Sequence, residues 1–266
     1  MSWNIVRHAF NMVFGNLFDA IKVSLIPLLL AVLLSVLAFW VSGIRLVDIG
    51  DMQSISAAGN PTAEEVAWLT EKLWSLAGAG VCAAIFVSFA VAWIAVLWHR
   101  FVLLEEYPTI LPRLEMSVVG RYFLRAMGIA LIMLAAWVVV GFVLKFVIEP
   151  IAPVIGSLGM VAAVILLTWF YMRLGITLPS IALGRGLGLA DGFQATRRLS
   201  RTIMGVCGIL MGIGLAGSIV LQIISMGLPV IGLVLDLAFQ WVMMMVGVSI
   251  LTTLYGHLIE GRNLSY

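Results

Sequence analysis

The feature that most constrains this chain is the recurrence of apolar stretches long enough to cross a bilayer. A helix rising about 1.5 Å per residue needs about 20 apolar residues to span the hydrocarbon core. Six stretches meet that length, at roughly 21–42, 76–98, 127–148, 156–176, 203–227 and 230–256. Pro150 and Pro153 separate the third from the fourth, and Gly227-Leu228-Pro229 leaves room only for a tight turn between the last two. Over 266 residues, 63% are apolar and 11% charged, with a mean hydropathy of +1.15. A water-soluble domain of this length has too much surface relative to its volume to hide so many apolar side chains. Soluble enzymes, disordered chains and nucleic-acid-binding domains are therefore excluded, and the expected class is an all-α polytopic membrane protein.

Charge distribution gives the sidedness. With both termini on one side, that side collects Arg7, Lys22, Arg100, Arg113, Arg121, Arg125, Arg173, Arg185, Arg197, Arg198, Arg201 and Arg262. The other side keeps Arg45, Lys72 and Lys145. Such an imbalance is the positive-inside pattern and predicts cytoplasmic termini. The net charge of +2 is uninformative beside that asymmetry. The first residues do not read as a cleavable signal peptide, because they are polar for too long and no small-residue cleavage pattern follows. Cys82 and Cys207 each lie inside an apolar run, with neither disulfide-framework nor metal-ligand spacing.

Three segments outside the spans read as amphipathic helices lying in the headgroup plane, at the amino terminus, over 114–126 and over 191–202. In the first, Asn4, Arg7, His8, Asn11 and Gly15 share one face, while Ile5, Val6, Ala9, Met12, Val13 and Leu17 share the other. Arg121 and Arg125 mark the second, and Arg197, Arg198 and Arg201 the third. On the opposite side, Thr62-Ala63-Glu64-Glu65 forms a capping box, so a helix is expected to start there and run into the second span.

The pieces fall into three similar units, 1–104, 105–190 and 191–266, within one integral membrane domain. Each is a basic segment, a span out, a turn and a span back. The returning spans end in Trp98-His99-Arg100-Phe101, Tyr171-Met172-Arg173-Leu174 and Tyr255-Gly256-His257-Leu258. Three helical hairpins follow, from an internal threefold repeat or from what any aromatic-plus-cation membrane boundary selects. The order of an interfacial helix and span, then Trp98-His99-Arg100, then Arg173 through Leu178-Pro179 and a basic stretch to Arg201, resembles a group of six-span bacterial inner-membrane proteins. That group comprises relatives of the YciC family and of the membrane domain attached to some glycerophosphoryl diester phosphodiesterases. The resemblance implies a helical bundle in the bacterial inner membrane and supplies no established activity, so no catalytic residue is carried over.

Four polar residues in the spans form the first candidate site. Asp236 lies about 10 Å along the sixth span from its outer end, with Gln240 one turn on, Gln222 at similar depth and Lys145 the one cation within plausible reach. An intramembrane acid is costly and by default a site hypothesis. Two arrangements are open: a Lys145–Asp236 pair flanked by the amides, or Lys145 snorkelling beside Glu149 with Asp236 apart. A second set, Arg7, Arg121, Arg125, Arg185, Arg197, Arg198 and Arg201, is expected to meet anionic phospholipids of the inner leaflet. Within it, the run Ala182-Leu183-Gly184-Arg185-Gly186-Leu187-Gly188 either cradles a phosphate or serves as a turn whose Arg185 meets lipid phosphate. Small residues at Gly80, Ala84, Ser88 and Ala92, and at Gly208, Gly212 and Ala216, form stripes for close helix packing, within the bundle or against another membrane protein.

No catalytic motif is present, and His8, His99 and His257 lack the spacing of a zinc or di-iron site. The adjacent pairs Glu64-Glu65 and Glu105-Glu106 do not converge as an acid–base couple would and read as solvated faces. No metal or other cofactor is expected. The reading is a non-catalytic scaffold, assembly factor or accessory subunit of a membrane complex. Its alternative is a transporter or lipid-handling protein using the polar cluster around Asp236.

Overall fold

The computed structural model describes residues 1–109 and 111–262. Helices form the whole of its regular structure, and six are long and apolar enough to cross a membrane. In chain order they are α1 (Ser2–Gly15), α2 (Leu17–Val41), α3 (Leu46–Ala57), α4 (Ala63–Leu104), α5 (Met116–Phe142), α6 (Pro153–Gly175), α7 (Thr177–Ala182), α8 (Leu189–Ala195), α9 (Ser200–Gly227) and α10 (Pro229–Leu258). A π-helical turn, Val143–Ile148, extends α5, and a 3-10 turn, Thr196–Leu199, joins α8 to α9.

Local sequence sets these boundaries. Glu65 N–H donates to Thr62 Oγ1 at 3.3 Å while Glu65 Oε2 accepts from Thr62 N–H at 2.7 Å, which completes the capping box and starts α4. Pro153 and Pro229 stand at the first positions of α6 and α10, where the missing N–H has no helical partner to lose. Glu105 ends α4 in the left-handed region at φ +58°. The chain turns there so that Glu106 comes back to Arg100, with Nε–Oε2 at 2.7 Å and Nη2–Oε1 at 3.1 Å.

α2 pairs with α4, α5 with α6, and α9 with α10, so the six spans are three hairpins. Further contacts of α4 with α5, α6 with α9, and α10 with α4 close α4, α5, α6, α9 and α10 into a ring. α2 lies outside the ring on α4, and α7 sits beneath it in contact with α4, α5 and α10. Glycines allow the closest approaches inside the hairpins. A Cβ on Gly156 would lie 2.8 Å from the Glu149 Cβ, one on Gly159 would lie 2.7 Å from Leu144 Cδ2, and one on Gly217 would overlap the Phe239 ring.

Two of the three segments expected as interfacial helices differ, and the one over 191–202 is divided among α8, the 3-10 turn and the start of α9. α1 keeps the expected division of faces: Ile5, Val6, Ala9 and Val13 are buried where the helix packs on α9 and α10, while Arg7, Asn11 and Gly15 are exposed. The expected helix over 114–126 is the first part of α5 itself, because nothing between Met116 and Phe142 interrupts it.

The core occupies one end of the bundle. Trp98, Ile129, Ile176, Leu178, Ile203, Met245, Leu254 and Tyr255 are fully buried there, beside α1, α7 and the arginines. At the opposite, hairpin end the burial nearly stops. Across residues 32–41, 63–89, 131–142, 153–162, 211–227 and 229–244, only Ala79, Gly156 and Gly232 are buried. The hairpins share a common core at the basic end and remain separate at the other. In a bilayer no hydrophobic drive closes such gaps, since lipid chains are as apolar as leucine.

Candidate functional site

The basic end holds a cleft of about 600 Å³ between α5 and the loop after α7. Arg121 and Arg125, one turn apart, come from α5, and Arg185 comes from the loop. Beneath them lie Leu124, Ile129, Ile132 and Leu189, so a charged rim surmounts an apolar wall. Ser180 organises the loop: its carbonyl accepts from Arg185 N–H at 2.7 Å and its Oγ from Leu187 N–H at 3.3 Å. Gly184 turns the chain at φ +71°, a conformation that a side chain would strain. Arg125 Nη1 donates to Leu187 O at 3.2 Å and Arg121 Nε to Ser117 O at 3.0 Å. Both keep further N–H donors without partners among the described residues. Arg185 is paired with Glu260, whose Oε1 accepts from Arg185 Nη1 at 2.8 Å while its Oε2 lies 2.8 Å from Arg262 Nε. Three guanidiniums over an apolar wall, of which only Arg185 is paired with a carboxylate among the described residues, can hold a phosphate bearing a hydrophobic tail.

The remaining predicted arginines, Arg7, Arg197, Arg198 and Arg201, are exposed and do not line this cleft. Arg173 stands apart from them. It is buried at 6% exposure with its guanidinium 3.5 Å from the Phe193 ring centre and 4.8 Å from that of Trp169. Its Nε donates to Thr196 Oγ1 at 2.9 Å and its Nη2 to Phe193 O at 2.7 Å, which fastens α8 and the 3-10 turn to α6.

A polar network also lies inside the core. Trp98 Nε1–H donates to Ser249 Oγ at 2.9 Å, and Ser249 passes its own hydrogen to Met245 O at 2.8 Å. His99 sits between Thr252 Oγ1 at 2.8 Å and Tyr122 OH at 3.1 Å. Thr252 donates to Val248 O at 2.9 Å, so its oxygen must accept from His99 Nδ1–H. The other nitrogen, Nε2, is then the acceptor for the Tyr122 hydroxyl. Every polar atom of this buried chain is thus served by a neutral imidazole. The network joins three spans, α4, α5 and α10, and the sequence spacing of its members carries no sign of that convergence.

Of the two arrangements open for the residues around Asp236, the structure has Lys145 beside Glu149 and Asp236 apart from it. Lys145 Nζ pairs with Glu149 Oε1 at 2.7 Å, Asp236 Oδ2 accepts from Gln240 Nε2 at 2.7 Å, and Gln222 is exposed without a hydrogen bond among the described residues. The i,i+4 neighbours win because each is within reach on its own helix. The packing stripes also depart from their expected role inside the bundle. Gly208, Gly212 and Ala216 are exposed, with open space where a Cβ on either glycine would stand. Gly80 likewise meets nothing within 4 Å, and Ala84 and Ser88 are exposed, while Ala92 at the end of that stripe is buried.

A tightly held carboxylate was missed in the loop between the first two spans. Asp48 is 1% exposed, accepts from Arg45 N–H at 3.0 Å, and meets Arg45 Nη2 at 3.1 Å and Lys72 Nζ at 3.0 Å. The backbone hydrogen bond from Arg45, aided by Lys72, holds its carboxyl down at about 2. An Arg-x-x-Asp start to a helix with one further cation is the only sequence signal for it. Comparison with protein-family models, with curated proteins and with solved structures found no match.

Proposed function

We propose that this chain is a non-catalytic protein of the bacterial inner membrane, with both termini in the cytoplasm, that holds anionic phospholipid of the inner leaflet. The observation that carries the reading is the convergence of Arg121, Arg125 and Arg185 on one cleft with an apolar wall. The excess of cations on the same end supports the orientation. The order of segments around Trp98-His99-Arg100 and Arg173 supports kinship with the YciC-like group. The lipid-handling role proposed here rests on the basic cleft and not on Asp236.

Native mass spectrometry of the protein, titrated with phosphatidylglycerol or phosphatidylcholine, tests the reading. Each arginine near an anionic headgroup contributes about 1 kcal/mol, and Arg185 contributes less because Glu260 already shares it. Replacing all three with glutamine should cost roughly 2 kcal/mol, or about thirtyfold in phosphatidylglycerol affinity. Equal retention of both lipids by the wild-type chain would refute it.

A second reading, an accessory subunit of a membrane complex, is favoured by the exposed Gly208, Gly212 and Ala216, where a Cβ on either glycine would meet open space among the described residues. Cysteine at position 212 should then cross-link to a partner in native membranes. A chain that stays uncross-linked under complete modification of that cysteine argues against it.

A further inference from the structure

A second cavity lies inside the helical ring, independent of the basic cleft. It measures about 420 Å³ and is lined by α4, α5, α6, α7 and α10. Its walls are made by small residues: Ser88, Ala92 and Ala95 on α4, Ala126 and Ala130 on α5, and Gly247 on α10. Ser88 and Ala92 belong to the stripe expected to pack helices together, and here they leave space instead. On α5 the cavity residues 122, 123, 126, 127 and 130 occupy the face opposite Arg121, Arg125 and Ile132, so this one helix separates the cavity from the basic cleft. Leu178 of α7 contributes to the lining, as do four methionines, Met127, Met172, Met243 and Met244, which adapt to irregular occupants.

We propose that this cavity is a binding site for a single acyl chain of a membrane lipid, with the Tyr171 hydroxyl donating to the ester carbonyl at its head. Three observations select that occupant. The lining is mainly apolar, which disfavours a chain of water molecules. The hairpins are separate beyond it, so the solvent at its mouth is the hydrocarbon of the bilayer. No cation lines the cavity, which excludes a carboxylate or phosphate head within it. Tyr122, whose hydroxyl hydrogen is committed to His99, and Tyr171, whose hydroxyl has no partner among the described residues, are the polar points at its lower end.

The test uses the full chain in phosphatidylcholine vesicles that carry a small fraction of phosphatidylcholine with a diazirine on its acyl chain. A zwitterionic lipid keeps the result separate from anionic binding at the arginine cleft. After irradiation, adducts should appear on Met243, Met244 or Met127 as well as on the lipid-facing residues Leu29, Leu33 and Val36 of α2. Ala126→Phe should abolish the cavity adducts and leave those on α2 unchanged. Tyr171→Phe should lower them about two- to tenfold, as expected for one hydrogen bond. Ala92→Phe, on the opposite wall, gives the same test if Ala126→Phe does not fold. Cavity adducts that are absent, or unchanged in both filling variants, would overturn the proposal. So would rapid reaction of Ser88→Cys with a water-soluble, membrane-impermeant maleimide, because the cavity would then hold water.

Discussion

Replacing Tyr122 with phenylalanine removes one oxygen from a buried network and isolates a single hydrogen-bond acceptor. Tyr122 is 4% exposed and His99 is fully buried, so no solvent reaches the freed His99 Nε2. The tautomer cannot relieve it. If the proton moved to Nε2, Nδ1 would face Thr252 Oγ1, whose hydrogen is already given to Val248 O. A buried acceptor left without a donor costs about 1–3 kcal/mol. Thermal unfolding in detergent, followed by intrinsic fluorescence, should show the loss as roughly 2–4 °C per kcal/mol. Pairing the change with His99→Leu, similar in volume to the imidazole, removes the acceptor as well. The double variant should then be more stable than the sum of the two single losses by about 1 kcal/mol or more. Strictly additive losses, or a Tyr122→Phe variant within about 0.5 kcal/mol of wild type, would refute the reasoning. Tyr122 and His99 would then not share the bond described.

Asp48 gives a pH-dependent prediction. Its folded carboxyl is held at about 2 against an ordinary 3.8, so the stabilisation is present above 3.8 and disappears as the pH falls toward 2. Hydrogen exchange over residues 46–57 should therefore separate wild type from Asp48→Asn at pH 5 and converge for the two near pH 2. Arg173→Lys loses the planar stacking on Phe193 and the paired donation to Thr196 and Phe193, at a cost of about 2–3 kcal/mol. Limited proteolysis should then cut within 189–199, and an unchanged digest would count against the clamp. Gly217→Ala should destabilise the last hairpin by about 1–3 kcal/mol through overlap with Phe239. Gly212→Ala, facing open space, should be neutral or slightly stabilising in the same melt.

The sequence made the six spans legible because apolar length is a local property. The expected stretches 156–176 and 230–256 differ from α6 and α10 by a few residues at each end. The capping box at Thr62 was equally readable, since all its atoms lie within four residues. What escaped was anything made by residues from different helices. Arg121, Arg125 and Arg185 were recognisable as basic positions, but their convergence depends on the α7 turn and on Ser180 fixing the loop. Lys145 and Asp236 share a depth in sequence, yet each is bonded to a neighbour on its own helix. The stripe at Gly208, Gly212 and Ala216 has the periodicity of a packing face, and periodicity says nothing of which way that face turns. The close contacts fall instead at Gly156, Gly159 and Gly217, which no repeating pattern marks.

The separation of the hairpins at one end has a consequence for the surrounding lipid. A bundle whose spans touch through most of one leaflet and part company in the other presents a different perimeter to each. Chains of the leaflet at the hairpin end can enter between α2–α4, α5–α6 and α9–α10, while those at the basic end meet a continuous wall. The number of motionally restricted lipids per protein should therefore differ between the leaflets, with more at the hairpin end. Spin-labelled lipid confined to one leaflet at a time would register that inequality as a larger immobilised fraction on the hairpin side.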